Sequence, residues 1–190
     1  MHKPMSRKKI VHMAQLAMLA AISLVLIAFV RIPLVPAAPF LEYDMADAPI
    51  LIGALLFGSG PALAVLFVVS TIQAFLFGGN GWIGLVMHFI SSGALVLLAG
   101  EFYKRKHKFS DAIIGMVLGS IAMTLIMIPM NYIFTVHFFG VPKTVVDAMM
   151  LPGIIPFNLL KASLNSGIAA VLFRSLQPFV QKNREMFHPI

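Results

Sequence analysis

The chain has 190 residues, of which 59% are hydrophobic and only 11% are charged. Because soluble domains carry about 25% charged residues, this composition excludes a soluble enzyme and predicts an integral membrane protein with room for about six spans. The net charge of +7 does not indicate nucleic-acid binding, since the basic residues flank apolar segments, as membrane topology signals do.

The apolar segments predict an all-α integral membrane fold with six transmembrane helices in one bundle, a single membrane domain over residues 1–190. The predicted spans are residues 10–30, 45–57, 60–77, 82–100, 112–136 and 152–176. The second span is short, which predicts that it is tilted or packed inside the bundle. Glycine- and proline-rich turns separate spans two, three and four.

Three short segments carry most of the basic residues: the amino-terminal tail, the loop after span four and the carboxyl end. They contain Lys3, Arg7, Lys8 and Lys9, then Lys104, Arg105, Lys106 and Lys108, then Arg174, Lys182 and Arg184. With six spans all three segments lie on one side, which the positive-inside rule identifies as cytoplasmic. We therefore expect a multi-pass plasma-membrane protein with both termini in the cytoplasm.

Span one carries a pair of small residues, Ala17 and Ala21, one helical turn apart. Such faces let helices approach closely in a membrane. The pattern is common in membrane proteins, so by itself it indicates a partner only weakly.

The outer loop of residues 31–47 contains three prolines, which favour an extended chain. Its segment from Phe40 and Leu41 to Tyr43 and Asp44 could fold over a cavity as an aromatic lid. Asp47 near the start of span two has two interpretations, a helix cap or part of the site, and we favour the cap.

Span five carries Asn131 near its outer end, just after Pro129. An amide offers both donors and an acceptor, which suits the edge of a heterocycle. A hydrogen bond between helices is an equally good explanation. His88 in span four is isolated in the sequence, and we interpret it as a core or interface residue.

Span six contains Lys161, with Asn158 and Asn165 on the same helical face. A lysine deep in a bilayer costs about 2.5–3.5 kcal/mol on insertion scales, so something must offset that cost. We favour a polar cavity that holds a ligand. The alternatives are snorkelling or a pair with a buried acid, and Asp47 is the acid that could approach.

The sequence contains none of the common nucleotide-hydrolysis, zinc-protease or serine-hydrolase motifs, so we predict no catalytic residues, no metal and no cofactor. Two other classes of function stay open. One is a small intramembrane enzyme that acts on a lipid with Asp44 and Asp47 as its acids, and the other is a structural subunit without a ligand.

Three motifs resemble those of the riboflavin-specific substrate-binding (S) components of energy-coupling factor (ECF) transporters. They are Phe40-Leu41-x-x-Asp44-x-x-Asp47-x-Pro49, Asn131-Tyr132 and Gly153-Ile154-Ile155-Pro156-Phe157-Asn158-x-x-Lys161. The resemblance covers essentially the whole chain, and the last motif is the most specific. An S component for another heterocyclic vitamin is the alternative within the same class.

The resemblance implies a membrane protein that captures riboflavin from outside as a transported ligand. It places Asn131, Asn158 and Lys161 at the polar edge of the isoalloxazine ring, and Phe40 to Asp44 near the ring or the ribityl chain. It also implies that Ala17 and Ala21 contact a transmembrane T component, which two cytoplasmic ATPases drive.

Two segments depart from the family pattern. Span three has Ser70, Thr71 and Gln73 where some relatives carry a lysine and asparagines, and span four has His88 where a smaller polar residue is expected. These departures affect the expected contacts of the ribityl chain.

Overall fold

A computed structural model describes residues 7–182 of the chain; Lys3 and Arg184, which belong to the charge pattern above, lie outside them. The α-helices are α1 (Arg7–Phe29), α2 (Asp47–Phe57), α3 (Ser59–Leu76), α4 (Gly81–Lys106), α5 (Phe109–Met130), α6 (Lys143–Met149) and α7 (Ile155–Lys182). Two π-helical segments, Asn131–Val136 and Met150–Ile154, follow α5 and α6. Two short strands, β1 (Ile32–Pro33) and β2 (Glu42–Tyr43), lie between α1 and α2.

Within residues 7–182, five helical segments are long and apolar enough to cross a membrane, and α2 is a shorter apolar helix. The 11 residues of α2 span about 16 Å at 1.5 Å per residue, roughly half of a hydrocarbon core of about 30 Å. The chain is therefore an all-helical membrane protein, whereas the sixth complete crossing and the orientation of the termini stay predictions.

Helix α2 lies at the centre of the bundle. Ten of its residues are buried, and it packs against α1, α3, α4 and α7. Its side chains Ile50, Leu51 and Leu55 join one continuous core with Leu66 and Phe173. The prediction that the second span is packed inside the bundle is confirmed, and the reason is that its side chains after Asp47 are apolar on every face.

The connection between α1 and α2 folds into the bundle rather than over it. Strands β1 and β2 pair antiparallel, with Ile32 opposite Tyr43, and Tyr43, Asp44 and Ala46 are buried. Irregular backbone at membrane depth is tolerated only where protein surrounds it or where it lines a cavity. This segment is therefore packed against the bundle in front of the short helix α2.

The outer ends of the last two predicted spans are π-helical. One π-helical segment begins at Asn131, two residues after Pro129, and the other contains Pro152. Proline lacks the N–H that an α-helix requires, and single π-helical turns are frequent at functional sites. The helical chain already begins at Lys143 with α6, ahead of the start predicted at residue 152.

Candidate functional site

Lys161 is buried and forms an ion pair with Asp44. Its Nζ atom donates a hydrogen bond of 2.8 Å to Oδ2 of Asp44. The alternative of a pair with a buried acid is therefore confirmed, and the cavity ligand that we favoured stays a prediction. The acid is Asp44 rather than Asp47, because the loop before α2 reaches into the bundle.

Asp44 also organises the side chains around it. Gln73 Nε2 donates to Oδ2 of Asp44 at 3.2 Å, and the backbone N–H of Ala46 donates to Oδ1 at 3.1 Å. Asn165 Nδ2 donates to the backbone carbonyl of Asp44, also at 3.1 Å.

A second buried carboxylate, Asp47, connects α2 to α3 and α4. Its oxygens accept hydrogen bonds from Ser92 Oγ (3.0 Å) and lie 3.2 Å from His88 Nε2. The other ring nitrogen of His88 lies 3.2 Å from Ser70 Oγ. One expectation is wrong here, because Asp47 makes no capping hydrogen bond with its side chain. His88 lies between α2, α3 and α4, which agrees with its interpretation as a core or interface residue.

The two other asparagines expected in the site, Asn131 and Asn158, are buried. Each donates its amide N–H to a carbonyl four residues earlier, Met127 and Ile154 respectively, at 2.8 Å. Asn131 Oδ1 accepts a hydrogen bond from Thr135 at 3.1 Å. For Asn131 the structure shows bonds within one helical segment, rather than the bond between helices that was the alternative explanation.

The lid residues divide into buried and exposed ones. Tyr43 is buried and packs with Val35 and Phe157, and the half-buried Leu41 contacts this cluster and a second one that contains Ile154. Phe40 is 63% exposed, so the structure does not bring it to the buried polar centre. The loop therefore contributes Tyr43 and Asp44 directly to that centre.

Three buried side-chain atoms near Asp44 have no hydrogen-bond partner among the described residues: Tyr43 OH, Gln73 Oε1 and Asn165 Oδ1. Buried polar atoms are normally paired, and an unpaired one points to an absent ligand or water. Our site prediction did not include Gln73. The signal for it is an amide side chain in the apolar segment of α3, at a position where the chain departs from the family pattern.

Ala17 and Ala21 lie on the exposed face of α1, whereas Ser23 and Ile27 on the same helix are buried. Ser23 Oγ donates to the carbonyl of Ala46 at 2.9 Å and thereby holds α1 against the start of α2. The small-residue face is thus free of the rest of the described chain.

Comparison with known proteins gives consistent results. A family model described as "ECF transporter, substrate-specific component" matches residues 11–173. The riboflavin transporter RibU of Streptococcus thermophilus is 32% identical over 184 residues, which cover 90% of this chain and 84% of that protein. RibU of Staphylococcus aureus is 28% identical over 173 residues, with 88% and 90% coverage. A solved structure of the S component of a bacterial ECF transporter superposes with a TM-score of 0.74 at 29% identity, covering 89% of this chain and 96% of that one.

The matched family binds a substrate for transport and does not catalyse a reaction, so the alternative of an intramembrane lipid enzyme is wrong and no cofactor is indicated. The apolar helices and the relatives agree with a multi-pass protein of the plasma membrane. The resemblance to S components found in the motifs is confirmed along the length of the chain, and the protein belongs to the substrate-specific components of ECF transporters.

Proposed function

We propose that this protein captures riboflavin on the extracellular side of the membrane and passes it inward as the S component of an ECF transporter. The curated relatives that match it are riboflavin transporters. The observation in the structure that supports the proposal is the buried polar centre, in which Lys161, Asp44 and Asn165 meet. Polar and charged side chains inside an apolar bundle cost free energy, and in membrane proteins they mark sites of binding or transport.

The ring of riboflavin has a flat apolar face and a polar edge of carbonyls and one N–H. In our proposal Lys161 donates to a ring carbonyl, and Asn131 and Asn158 supply donors and acceptors along the same edge. Leu41 and Phe157 offer apolar surface for the face of the ring, and Phe40 closes over it from outside. The Lys161–Asp44 pair must then share its ammonium donors with the ligand, which an ammonium group with three N–H bonds permits.

The uptake step requires partners. We propose that the exposed face of α1 with Ala17 and Ala21 contacts a transmembrane T component, which two cytoplasmic ATPases drive, and that six crossings place both termini in the cytoplasm. The exposure of Ala17 and Ala21 and the small size of their side chains support close helix contact.

Binding can be tested with the purified protein in detergent by the quenching of riboflavin fluorescence. We expect saturable binding of one riboflavin per chain, with no competition from excess thiamine or biotin. Absence of saturable riboflavin binding, or equal competition by another vitamin, would overturn the proposal.

Substitutions can test whether riboflavin binds at the polar centre. Asn131→Ala and Asn158→Ala should each weaken riboflavin binding about tenfold or more, because a hydrogen bond in a buried site is worth roughly 1.4 kcal/mol or more. Ser175→Ala is the matched control, since Ser175 is exposed on α7 and its hydroxyl donates to the carbonyl of Val171 on the same helix. Unchanged riboflavin affinity in both asparagine variants would show that the polar edge of the ring does not bind at Asn131 and Asn158.

A further inference from the structure

The polar centre contains two kinds of group with different hydrogen-bonding needs. Lys161 is a donor, whereas the atoms left unpaired around Asp44 are the amide oxygens of Gln73 and Asn165 and the hydroxyl of Tyr43. These three residues come from α3, α7 and β2, so three separate elements converge on one small region.

Both amide groups already donate hydrogen bonds inside the polar centre. Gln73 Nε2 donates to Oδ2 of Asp44, and Asn165 Nδ2 donates to the backbone carbonyls of Asp44 and Lys161. These contacts fix the amide orientations and leave Gln73 Oε1 and Asn165 Oδ1 as acceptors. A partner for this region must therefore bring hydrogen-bond donors, and Tyr43 OH can accept or donate.

The two parts of riboflavin differ in this respect. The polar edge of the ring consists mainly of acceptors, with a single N–H, whereas the ribityl chain carries hydroxyl groups that each donate one hydrogen bond. A polyol therefore complements the unpaired oxygens around Asp44, and the ring edge complements the donors of Lys161. In the opposite orientation the carbonyl oxygens of the ring would face the unpaired oxygens around Asp44, and unpaired acceptors are unfavourable in a buried site.

Resting on the proposed function, we propose that Gln73 is a further ligand-binding residue and that, together with Tyr43 and Asn165, it binds hydroxyl groups of the ribityl chain. Asp44 positions this subsite, because it holds the amide of Gln73 and pairs with Lys161 through the same oxygen, Oδ2. Asp44 thus lies between the residues proposed to bind the ribityl chain and the lysine proposed to bind the ring.

The test compares riboflavin with lumiflavin, which has the same ring and a methyl group in place of the ribityl chain. Wild-type protein should bind riboflavin more tightly than lumiflavin. Gln73→Met keeps the length of the side chain and removes its polar atoms. We expect it to weaken riboflavin binding about tenfold and to change lumiflavin binding less than twofold, whereas Asn131→Ala should weaken both ligands.

Several outcomes would overturn the inference. They are equal losses for both ligands in Gln73→Met, unchanged riboflavin affinity in that variant, or a wild-type protein that binds lumiflavin as tightly as riboflavin. A failure of the proposed function is distinguishable, because wild-type protein would then bind neither flavin.

Should lumiflavin bind too weakly to measure while riboflavin binds, the ring alone is insufficient and the polyol supplies the difference. The riboflavin affinity of Gln73→Met relative to Ser175→Ala then decides the role of Gln73, provided that both ligand-free variants melt at the same temperature. Equal affinities in the two variants would again overturn it.

Discussion

Lys161 Nζ and Asp44 Oδ2 lie 2.8 Å apart although 117 residues separate them in the chain. The pair joins the loop in front of α2 to the second turn of α7. Both partners are almost completely buried, with 9% and 5% of their side-chain surfaces exposed. Each charge is therefore kept inside the bundle by the other, and the loop is held in place by the same contact.

The first prediction concerns the separation of stability from binding at this pair. Lys161→Met should lower the stability of the ligand-free protein by about 3–5 kcal/mol, because it leaves the Asp44 carboxylate buried without a positively charged partner. The double variant Lys161→Met with Asp44→Asn should recover much of this loss, since no buried charge then remains unpaired, but it should not recover riboflavin binding.

Thermal unfolding in detergent and riboflavin titration measure the two properties separately. If the double variant is no more stable than the single one, the ion pair does not govern the stability of this region. If it binds riboflavin like the wild-type protein, Lys161 has no role as a ligand-binding residue.

The second prediction concerns the buried Asp47 carboxylate. Asp47→Ala removes the partner of both Ser92 Oγ and His88 Nε2, and each unpaired buried group costs about 1–3 kcal/mol. We expect a clear drop in melting temperature, and a smaller one for Asp47→Asn, which retains an oxygen acceptor.

Asp147→Asn is the control for this effect. Asp147 also accepts two side-chain hydrogen bonds, from Tyr132 at 2.8 Å and Lys143 at 2.7 Å. These contacts lie at an exposed position, where ion pairs contribute little, so its melting temperature should hardly change. Equal drops in melting temperature for Asp47→Ala and Asp147→Asn would show that the burial of Asp47 does not explain the destabilisation.

The third prediction concerns the exposed face of α1. Ala17→Trp or Ala21→Trp should leave riboflavin binding by the purified protein unchanged and abolish uptake by cells, because a large side chain blocks close approach of a partner helix. Ile22→Trp is a matched control, since Ile22 is 44% exposed and lies about 100° around the helix from Ala21.

Binding in detergent and uptake of labelled riboflavin in cells that contain the energising subunits provide the measurements. Equal loss of uptake in Ile22→Trp would mean that any bulky residue on α1 is harmful. Loss of riboflavin binding in Ala17→Trp or Ala21→Trp would show that this face packs inside the bundle.

The fourth prediction concerns the contact between α4 and α5. A Cβ atom at Gly115 would lie 2.7 Å from the carbonyl oxygen of Leu98 and 3.0 Å from Cα of Ala99, whereas one at Gly167 meets open space. Gly115→Ala should therefore destabilise the protein by about 1–3 kcal/mol through overpacking. Gly167→Ala should be neutral or slightly stabilising, because alanine favours the helix. Melting temperatures of the two variants in the same detergent compare them directly.

Composition and hydrophobic pattern were sufficient to predict the class of this protein. Runs of apolar residues must be helical in a membrane, since no other local structure satisfies their backbone there. The family motifs also lie along the chain at fixed spacing, so Lys161, Asn158 and Asn131 could be singled out as candidate site residues without any knowledge of the fold.

The partners of those residues could be decided only by the tertiary structure. Asp44 lies in a loop that a linear sequence places outside the membrane, and only the shortness of α2 together with the folding of the loop into the bundle brings it to Lys161. His88 and Asp47 meet for the same reason, across α2 and α4. A local pattern records which face of a helix a residue occupies, but it holds no information on which distant segment packs against that face. Compensation of buried charge depends on that packing.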